Sequence, residues 1–163
     1  MKKFFLSIDQ GTTSTRTVLY DFRFKYIDQE QIEIKQFYPK PGYVEHDAEE
    51  IWEKTYKTFR KLLKKHDLQP AQIISIGITN QRETVLGWNS KTGKPIGKAI
   101  VWQDRRTSAF CDSLKQKGLE PEINEKTGLL LDPYFSASKL SLIHISEPTR
   151  QAEISYAVFW LKK

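Results

Sequence analysis

The sequence predicts an α/β fold in which a mixed sheet is flanked by helices. Three stretches with alternating apolar residues follow one another within the first 37 residues, which is typical of antiparallel strands. After residue 47, a helical apolar stripe and a β-branched stretch take turns, which indicates helices packed on a sheet. At 163 residues and 39% apolar composition, the chain is long enough for one such core.

The predicted elements follow in order along the chain. Apolar residues alternate within residues 5–8, 15–20 and 29–37, and a polar turn after Asp9 joins the first two stretches as a β-hairpin. A loop at residues 38–43 ends this set, because its two prolines and glycine interrupt both helix and strand.

A helix is predicted to start after Asp47, which can accept from the first-turn amides while Glu50 stands in the capping-box position. Its expected core face comprises Ile51, Trp52, Tyr56, Phe59, Leu62 and Leu63. The lysines between them indicate a solvated face, although the net charge of +6 leaves a nucleic-acid binder as an alternative.

The second half alternates strands and helices. Residues 73–78 are nearly all β-branched, so we expect a central strand covered on both faces. Strands at 84–88 and 96–102 flank a turn, and helices at 107–117 and 121–126 end at Gly118 and Gly128.

Composition excludes several classes of protein. Cys111 is the only cysteine, which excludes a disulfide scaffold and fits a packed thiol in a reducing compartment. No stretch reaches the roughly 18 apolar residues of a membrane span, and Asp9 comes too early for a signal peptide. We therefore expect a cytoplasmic protein without a membrane partner.

The polar turn of the first hairpin predicts a phosphate site. Gly11 lets the turn curl so that backbone N–H groups point inward, and neighbouring side chains add donors. These donors are Thr12, Thr13, Ser14 and Arg16. Asp9 would supply an oxygen ligand to Mg²⁺ or its water shell. The same spacing is equally typical of a plain polar turn.

Two further clusters follow predicted strands. Arg82 and Glu83 come after the β-branched strand, where a polyol could accept from one and donate to the other, but an exposed charged strand end fits too. As neighbours in extended chain they should point apart. Trp102 could cover the carbon side of a polyol, whereas helix capping is the simpler interpretation of residues 103–107.

Seven stretches between residues 4 and about 139 resemble, in order, the N-terminal domain of the FGGY carbohydrate kinase family. They are DQGTTS at 9–14, YPKPG at 38–42, VEHD at 44–47, GITNQRE at 77–83, IVWQDRRT at 100–107, KTGL at 126–129 and DPYFS at 132–136. The chain departs from the family pattern at Tyr43, commonly tryptophan, and at residues 137–138, commonly Gly-Thr.

The resemblance implies a ribonuclease-H-like domain of the actin, hexokinase and sugar kinase superfamily, here truncated. It implies that ATP phosphorylates glycerol, with the ATP phosphates on Thr12, Thr13, Ser14 and Arg16, Mg²⁺ beside Asp9, and glycerol on Arg82, Glu83, Trp102 and Tyr134. The family's catalytic base and adenine site lie far downstream, so no residue of this chain takes either role. We expect an inactive fragment of a homo-oligomeric parent enzyme.

The last residues do not match the family. Residues 140–150, LSLIHISEPTR, resemble a translated sequencing-library adapter, with an index at 151–153 and a primer site at 154–163. We therefore expect an incomplete kinase domain at residues 1–139 and a non-native tail at 140–163; the alternative is a genuine C-terminal strand. Rival functions are a kinase for another polyol or sugar such as xylulose, and an ATP-binding non-kinase of the superfamily.

Overall fold

A computed structural model of the chain describes residues 2–146 and 154–157. The chain divides into two compact units. The first comprises Met1–Gln36 and Asp47–Gln81, and the second comprises Phe37–His46 and Arg82–Lys163.

A four-stranded sheet organises the first unit. Its strands are β1 (Phe4–Gln10), β2 (Ser14–Asp21), β3 (Tyr26–Glu33) and, separated by β4 of the second unit, β5 (Ile73–Thr79). The order is β3-β2-β1-β5, with β2 antiparallel to both neighbours and β5 parallel to β1. The sheet is thus mixed, as predicted. The hairpin register places Asp9 opposite Arg16.

Helix α1 (Ala48–Lys65) packs on this sheet. The Asp47 carboxylate accepts from the amides of Glu49 and Glu50, which confirms the predicted N-cap. Leu62 is fully buried and joins the core formed by Leu6, Leu19 and Leu68.

The predicted core face of α1 is wrong at two positions. Trp52 and Tyr56 are 63% and 47% exposed, and their rings stack on each other at a centroid distance of 5.8 Å. Thr58 faces the sheet instead and bonds the Thr17 hydroxyl at 2.9 Å, while Phe59 packs against the core as predicted. Each of the two buried hydroxyls thus has a hydrogen-bond partner, so burying this polar contact costs little free energy.

The prediction for residues 73–78 is also wrong. Strand β5 lies at an edge of the sheet and pairs, within the described residues, with β1 alone. Ile74, Ile76 and Ile78 are 51%, 42% and 65% exposed. Its composition is that of a strand covered on both faces, but no described element covers it.

The second unit is built from short strands and three helices. Strand β4 (Glu45–His46) pairs with β7 (Ala99–Ile100), and β6 (Leu86–Asn89) pairs with β8 (Ile154–Ala157). The helices are α2 (Ser108–Gln116), α3 (Glu120–Thr127), which ends at Gly128 with φ 72°, and α4 (Ser136–Ser146). Across the described residues of both units, no helix is long and apolar enough to cross a membrane.

One detail of this unit differs from expectation, and another agrees with it. Thr107 stands at the N-cap of α2 but makes no side-chain cap bond there; its hydroxyl bonds Ser138 at 2.8 Å. Just before the helix, the Asp104 carboxylate accepts from the Arg106 amide at 2.9 Å. Cys111 is buried with a free thiol, which confirms the packed-cysteine prediction.

Candidate functional site

The turn between β1 and β2 is held by a backbone hydrogen bond from Gly11 N to Ser14 O at 3.0 Å. A Cβ on Gly11 would lie 3.0 Å from that same carbonyl oxygen, so a side chain there would force the turn open. Thr13 O accepts from Ile34 N at 2.8 Å, which fixes the far side of the turn. The turn is thus shaped by close backbone contacts, which accounts for the glycine.

A polar network from α1 braces this turn. The Gln10 side-chain amide nitrogen donates to Gly11 O at 3.0 Å, and the Thr55 hydroxyl donates to the Gln10 side-chain oxygen at 2.8 Å. Thr15, fully buried, bonds Thr55 at 3.0 Å. Sequence reasoning missed Thr55; its polar side chain within an apolar helical stripe was the available signal.

Asp9 and Arg16 form an ion pair across the hairpin, with 2.8 Å between Oδ2 of Asp9 and a terminal guanidinium nitrogen of Arg16. Both side chains are 41% exposed, so a ligand can reach them. The Arg16 Nε atom is buried and has no hydrogen-bond partner among the described residues. The exposed part of the Arg16 guanidinium, beside a glycine turn, suits a phosphate oxygen.

These residues also fit Mg²⁺ in one binding mode. No group of three or more His, Cys, Asp or Glu residues suited to a metal occurs in the described part of the chain. Mg²⁺ bound to nucleotide phosphates keeps most of its waters and needs only one or two carboxylates. Asp9 is such a carboxylate, whereas a cage made of protein ligands alone does not fit the described residues.

In the second unit, Glu83 occupies a left-handed backbone conformation with φ 65°. Arg82 and Glu83 therefore lie in a turn, and the predicted extended conformation is wrong. The Glu83 Oε2 atom accepts from the Ser136 amide at 2.7 Å and from its hydroxyl at 2.6 Å. Such strain in a non-glycine residue is typical of functional sites, where the surroundings enforce it.

An aromatic pair accompanies this carboxylate. The rings of Trp102 and Tyr134 meet edge to face at a centroid distance of 5.7 Å, and Phe135 lies edge-on to Tyr134 at 5.1 Å. Tyr134 is 36% exposed, so the pair is accessible from solvent. Arg82 is exposed beside Glu83 in the chain.

Lys139 links the segments that carry these groups. Its fully buried ammonium donates to Tyr134 O at 3.1 Å and to Trp102 O at 3.4 Å. Burial lowers the pKa of Lys139 to about 8, opposed in part by the charges of Asp104 and Glu83. Sequence reasoning missed this lysine, because lysines on helices are ordinarily exposed.

A buried charge network supports the Trp102 segment. Asp104 is fully buried and accepts from Val44 N at 2.7 Å and from Arg106 at 2.9 Å. Arg106 also bonds Glu45 at 2.7 Å and lies over the Tyr43 ring at 4.1 Å. Burial opposes the Arg106 charge, but the hydrogen bonds to Asp104 and Glu45 outweigh it and raise its pKa.

The predicted site residues fall into two groups. Those assigned to phosphate and metal lie in the first unit, on the β1–β2 hairpin: Asp9 near the end of β1, Thr12 and Thr13 in the turn, and Ser14 and Arg16 in β2. Those assigned to the polyol lie in the second unit: Arg82, Glu83, Trp102 and Tyr134. The structure brings Trp102 and Tyr134 into contact and ties Glu83 to the helix that follows Tyr134.

Comparison with known proteins identifies the family of this chain and several similar proteins. Residues 4–162 match the model of the N-terminal domain of the FGGY family of carbohydrate kinases. Over 141 residues, the chain is 55% identical to a glycerol kinase of Sinorhizobium fredii, covering 86% of this chain and 28% of that protein. A glycerol kinase of Halorhodospira halophila is 44% identical over 98% of this chain and 33% of its own length.

Solved structures show the same fold. Plasmodium falciparum glycerol kinase with ADP superimposes with a TM-score of 0.85 at 32% identity, covering 96% of this chain and 32% of that one. A gluconate kinase from Lactobacillus acidophilus gives 0.87 at 23% identity over 96% of this chain and 31% of that one. These neighbours confirm the predicted sugar-kinase fold. The chain spans about a third or less of the relatives it matches.

Proposed function

Because the chain belongs to the FGGY family of carbohydrate kinases, we propose that it is the N-terminal part of an enzyme that phosphorylates glycerol with ATP. The observation that carries the proposal is the position of Glu83. Its backbone is strained, and Ser136 holds its carboxylate beside the accessible Trp102–Tyr134 pair. The similarity to glycerol kinases at 44–56% identity supports glycerol over other polyols.

Each polyol residue has a role that matches its position. The Oε1 atom of Glu83 accepts from a glycerol hydroxyl. Within the described residues, both donors to the Glu83 carboxylate bond Oε2, which leaves Oε1 for the substrate. Arg82 donates to a hydroxyl, as does the phenol of Tyr134, and Trp102 covers the carbon chain. A three-carbon alcohol is small enough for this edge-to-face pair to cover.

The nucleotide residues act through position and charge. The side chains of Thr12, Thr13, Ser14 and Arg16 bind phosphate oxygens of ATP, with Asp9 beside the Mg²⁺ that accompanies them. Mg²⁺ supplies charge neutralisation at the phosphates when bound. The exposure of the Asp9 and Arg16 side chains beside the turn supports these roles.

The proposed reaction breaks the bond between the γ-phosphorus and the oxygen that bridges to the β-phosphate, and forms a bond to a terminal hydroxyl of glycerol. The hydroxyl proton passes to a carboxylate base that this chain lacks, and the products are ADP and glycerol 3-phosphate. The reaction needs the two residue groups to share a cleft, which stays a prediction. The 163-residue chain alone is accordingly inactive.

The test is an ADP-release assay on the full-length gene product, with glycerol and xylulose as substrates. Preference for glycerol, and loss of most glycerol turnover in Arg82→Ala, support the proposal. Arg23→Ala is the matched control, since Arg23 is an exposed arginine of the β2–β3 turn over the Phe22 ring. Preference for xylulose, or full activity of Arg82→Ala, contradicts it, as does substantial turnover by the 163-residue chain.

A second proposal concerns residues 140–163, which we infer to be non-native. Relatives at 52–56% identity align over only 141–143 residues, which supports it, whereas the family match to residue 162 and the β6–β8 pairing favour a genuine strand. Amplifying the locus from source DNA decides: a kinase reading frame that continues past Lys139 supports the inference, and recovery of the present tail refutes it.

The proposal extends to the location and the partners of the parent enzyme. A free, buried Cys111 suits a reducing compartment, so we place the parent enzyme in the cytoplasm. We further propose that it is a homo-oligomer without nucleic-acid or membrane partners. Failure of the chain to bind DNA at low salt is the corresponding test.

A further inference from the structure

Lys139 is the largest fully buried side chain among the described residues, and its burial needs a reason. A buried ammonium is expensive unless it is hydrogen-bonded. It makes no ion pair within 4 Å in the described part of the chain; its acceptors are the carbonyls of Trp102 and Tyr134. A methionine would fill similar space without the desolvation cost, so the ammonium adds directed bonds to two backbone segments.

Those two segments carry the rings of the proposed polyol wall. Trp102 precedes α2 and Tyr134 precedes α4, so they are separated by more than 30 residues of chain. Lys139 ties both carbonyls to one point on α4, while Ser136, one turn earlier on that helix, holds Glu83. One helical turn thus positions three of the four polyol residues.

We propose that Lys139 is a positioning residue that sets the spacing of the Trp102 and Tyr134 rings and thereby the affinity for the polyol. It does not touch the polyol itself. The effect on polyol affinity rests on the proposed function. The contact of Lys139 with the Trp102 and Tyr134 segments does not depend on any substrate.

The first experiment needs no ligand. Fluorotryptophan is incorporated into the full chain, the Trp102 fluorine resonance is assigned with Trp102→Phe, and spectra are recorded from about pH 6 to 10. We expect that resonance to titrate with a midpoint near pH 8, the lowered pKa of Lys139, and those of Trp52 and Trp88 to lack this step.

The other charged groups that act on Lys139 are Asp104, Glu83, Arg106 and Asp132. Carboxylates and guanidinium groups do not ordinarily titrate in that window. A Trp102 resonance without the step overturns the proposal, and so does a step that persists in a folded Lys139→Met variant. If Lys139→Met does not fold, the wild-type titration decides.

The second experiment measures the consequence in the full-length enzyme. We expect Lys139→Met to raise KM for glycerol about tenfold or more, which corresponds to about 1.4 kcal/mol, because the rings that cover the polyol lose their common anchor. KM for ATP should change less than about twofold. Lys126→Met, an exposed lysine on α3, is the matched control and should change neither. A purely structural role would lower the active fraction and leave both KM values unchanged, which contradicts positioning.

The two proposals fail separately. If the wild-type enzyme does not phosphorylate glycerol, the proposed function fails, while the Trp102 titration still tests the contact. If the enzyme phosphorylates glycerol and Lys139→Met leaves its KM unchanged, the positioning role fails alone.

Discussion

Ser136 bonds a single oxygen of Glu83 twice, through its amide at 2.7 Å and through its hydroxyl at 2.6 Å. Ser136 is the first residue of α4, where backbone amides lack partners within the helix. The carboxylate therefore satisfies the helix start, and the helix fixes the carboxylate. The backbone of the same glutamate is in the left-handed conformation, with φ 65°.

Replacing Ser136 by alanine removes one of these bonds and keeps the other. We expect Ser136→Ala to lower the free energy of unfolding of the chain by about 1.5–3 kcal/mol, as for a lost hydrogen bond to a charged group. Urea denaturation followed by circular dichroism measures the change. Ser113→Ala is the control, because that exposed hydroxyl bonds only a carbonyl within α2. Equal effects of both variants would contradict the special role of Ser136.

Local signals in the sequence were sufficient for part of the fold. The hairpin turn at Gly11 and the Asp47 cap depend on residues within a few positions of each other, so composition and spacing predicted them. The edge position of β5 was not predictable in this way. Whether a β-branched strand is covered depends on elements distant in sequence, and Ile74, Ile76 and Ile78 show nothing of this locally.

The candidate site was predictable as residue types but not as contacts. Glu83 and Trp102 were found from their motifs, whereas the bond from Ser136 and the bridge through Lys139 join segments 53 and 37 residues apart. The turn at Glu83 was missed because glutamate rarely adopts a positive φ. Such exceptions to local rules are expected where surroundings override propensity.

The Asp9–Arg16 pair predicts different effects on stability and on ligand binding. Both side chains are 41% exposed, and exposed ion pairs stabilise proteins by at most about 1 kcal/mol. Arg16→Ala should therefore change the unfolding free energy little. It should weaken binding of Mg·ADP to the full-length enzyme about tenfold or more, because a charge-assisted bond to phosphate contributes about 1.5–3 kcal/mol.

Calorimetric titration with Mg·ADP measures the second effect. Lys61→Ala is the control, since Lys61 is an exposed cation of α1 that pairs with Glu30 of β3 at 2.7 Å and does not lie on the hairpin turn. Nucleotide affinity should survive that change. Unchanged affinity in Arg16→Ala would remove Arg16 from the phosphate site.

Asp28 makes the stability of the first unit depend on pH. The hydrogen bond from Lys65, followed by that from His66, holds the pKa of Asp28 far below its ordinary value. A carboxylate with a depressed folded pKa stabilises the fold at pH values above its unfolded pKa of about 3.9, and this contribution is lost as the pH falls toward the folded pKa.

Asp28→Asn should accordingly be less stable than the wild type near neutral pH, and the difference should shrink as the pH falls below about 4. Urea midpoints across a pH series measure it. Glu53→Gln, on the exposed side of α1, is the control and should show no such pH-dependent difference. A gap between wild type and Asp28→Asn that stays constant down to acid pH would contradict the ion-pair explanation.

The two edges of the first-unit sheet predict where the chain self-associates. The β3 edge carries Asp28, Glu30 and Glu33, and charges on an edge strand discourage pairing with another chain. Strand β5 carries no charge and exposes Ile74, Ile76 and Ile78 along one face, with Ile78 the most exposed at 65%. An uncharged, apolar edge strand is a template for strand pairing.

We therefore expect the 163-residue chain to self-associate through β5, and Ile78→Lys to weaken that association. Burying an isoleucine side chain contributes about 1.5–3 kcal/mol, so the loss should be about tenfold or more in the association constant. Sedimentation velocity over a dilution series measures it. Gln31→Lys places the same charge on the β3 edge and should leave the association unchanged. Association that is insensitive to Ile78→Lys would exclude this edge as the contact, because a lysine facing an apolar partner must be desolvated on pairing.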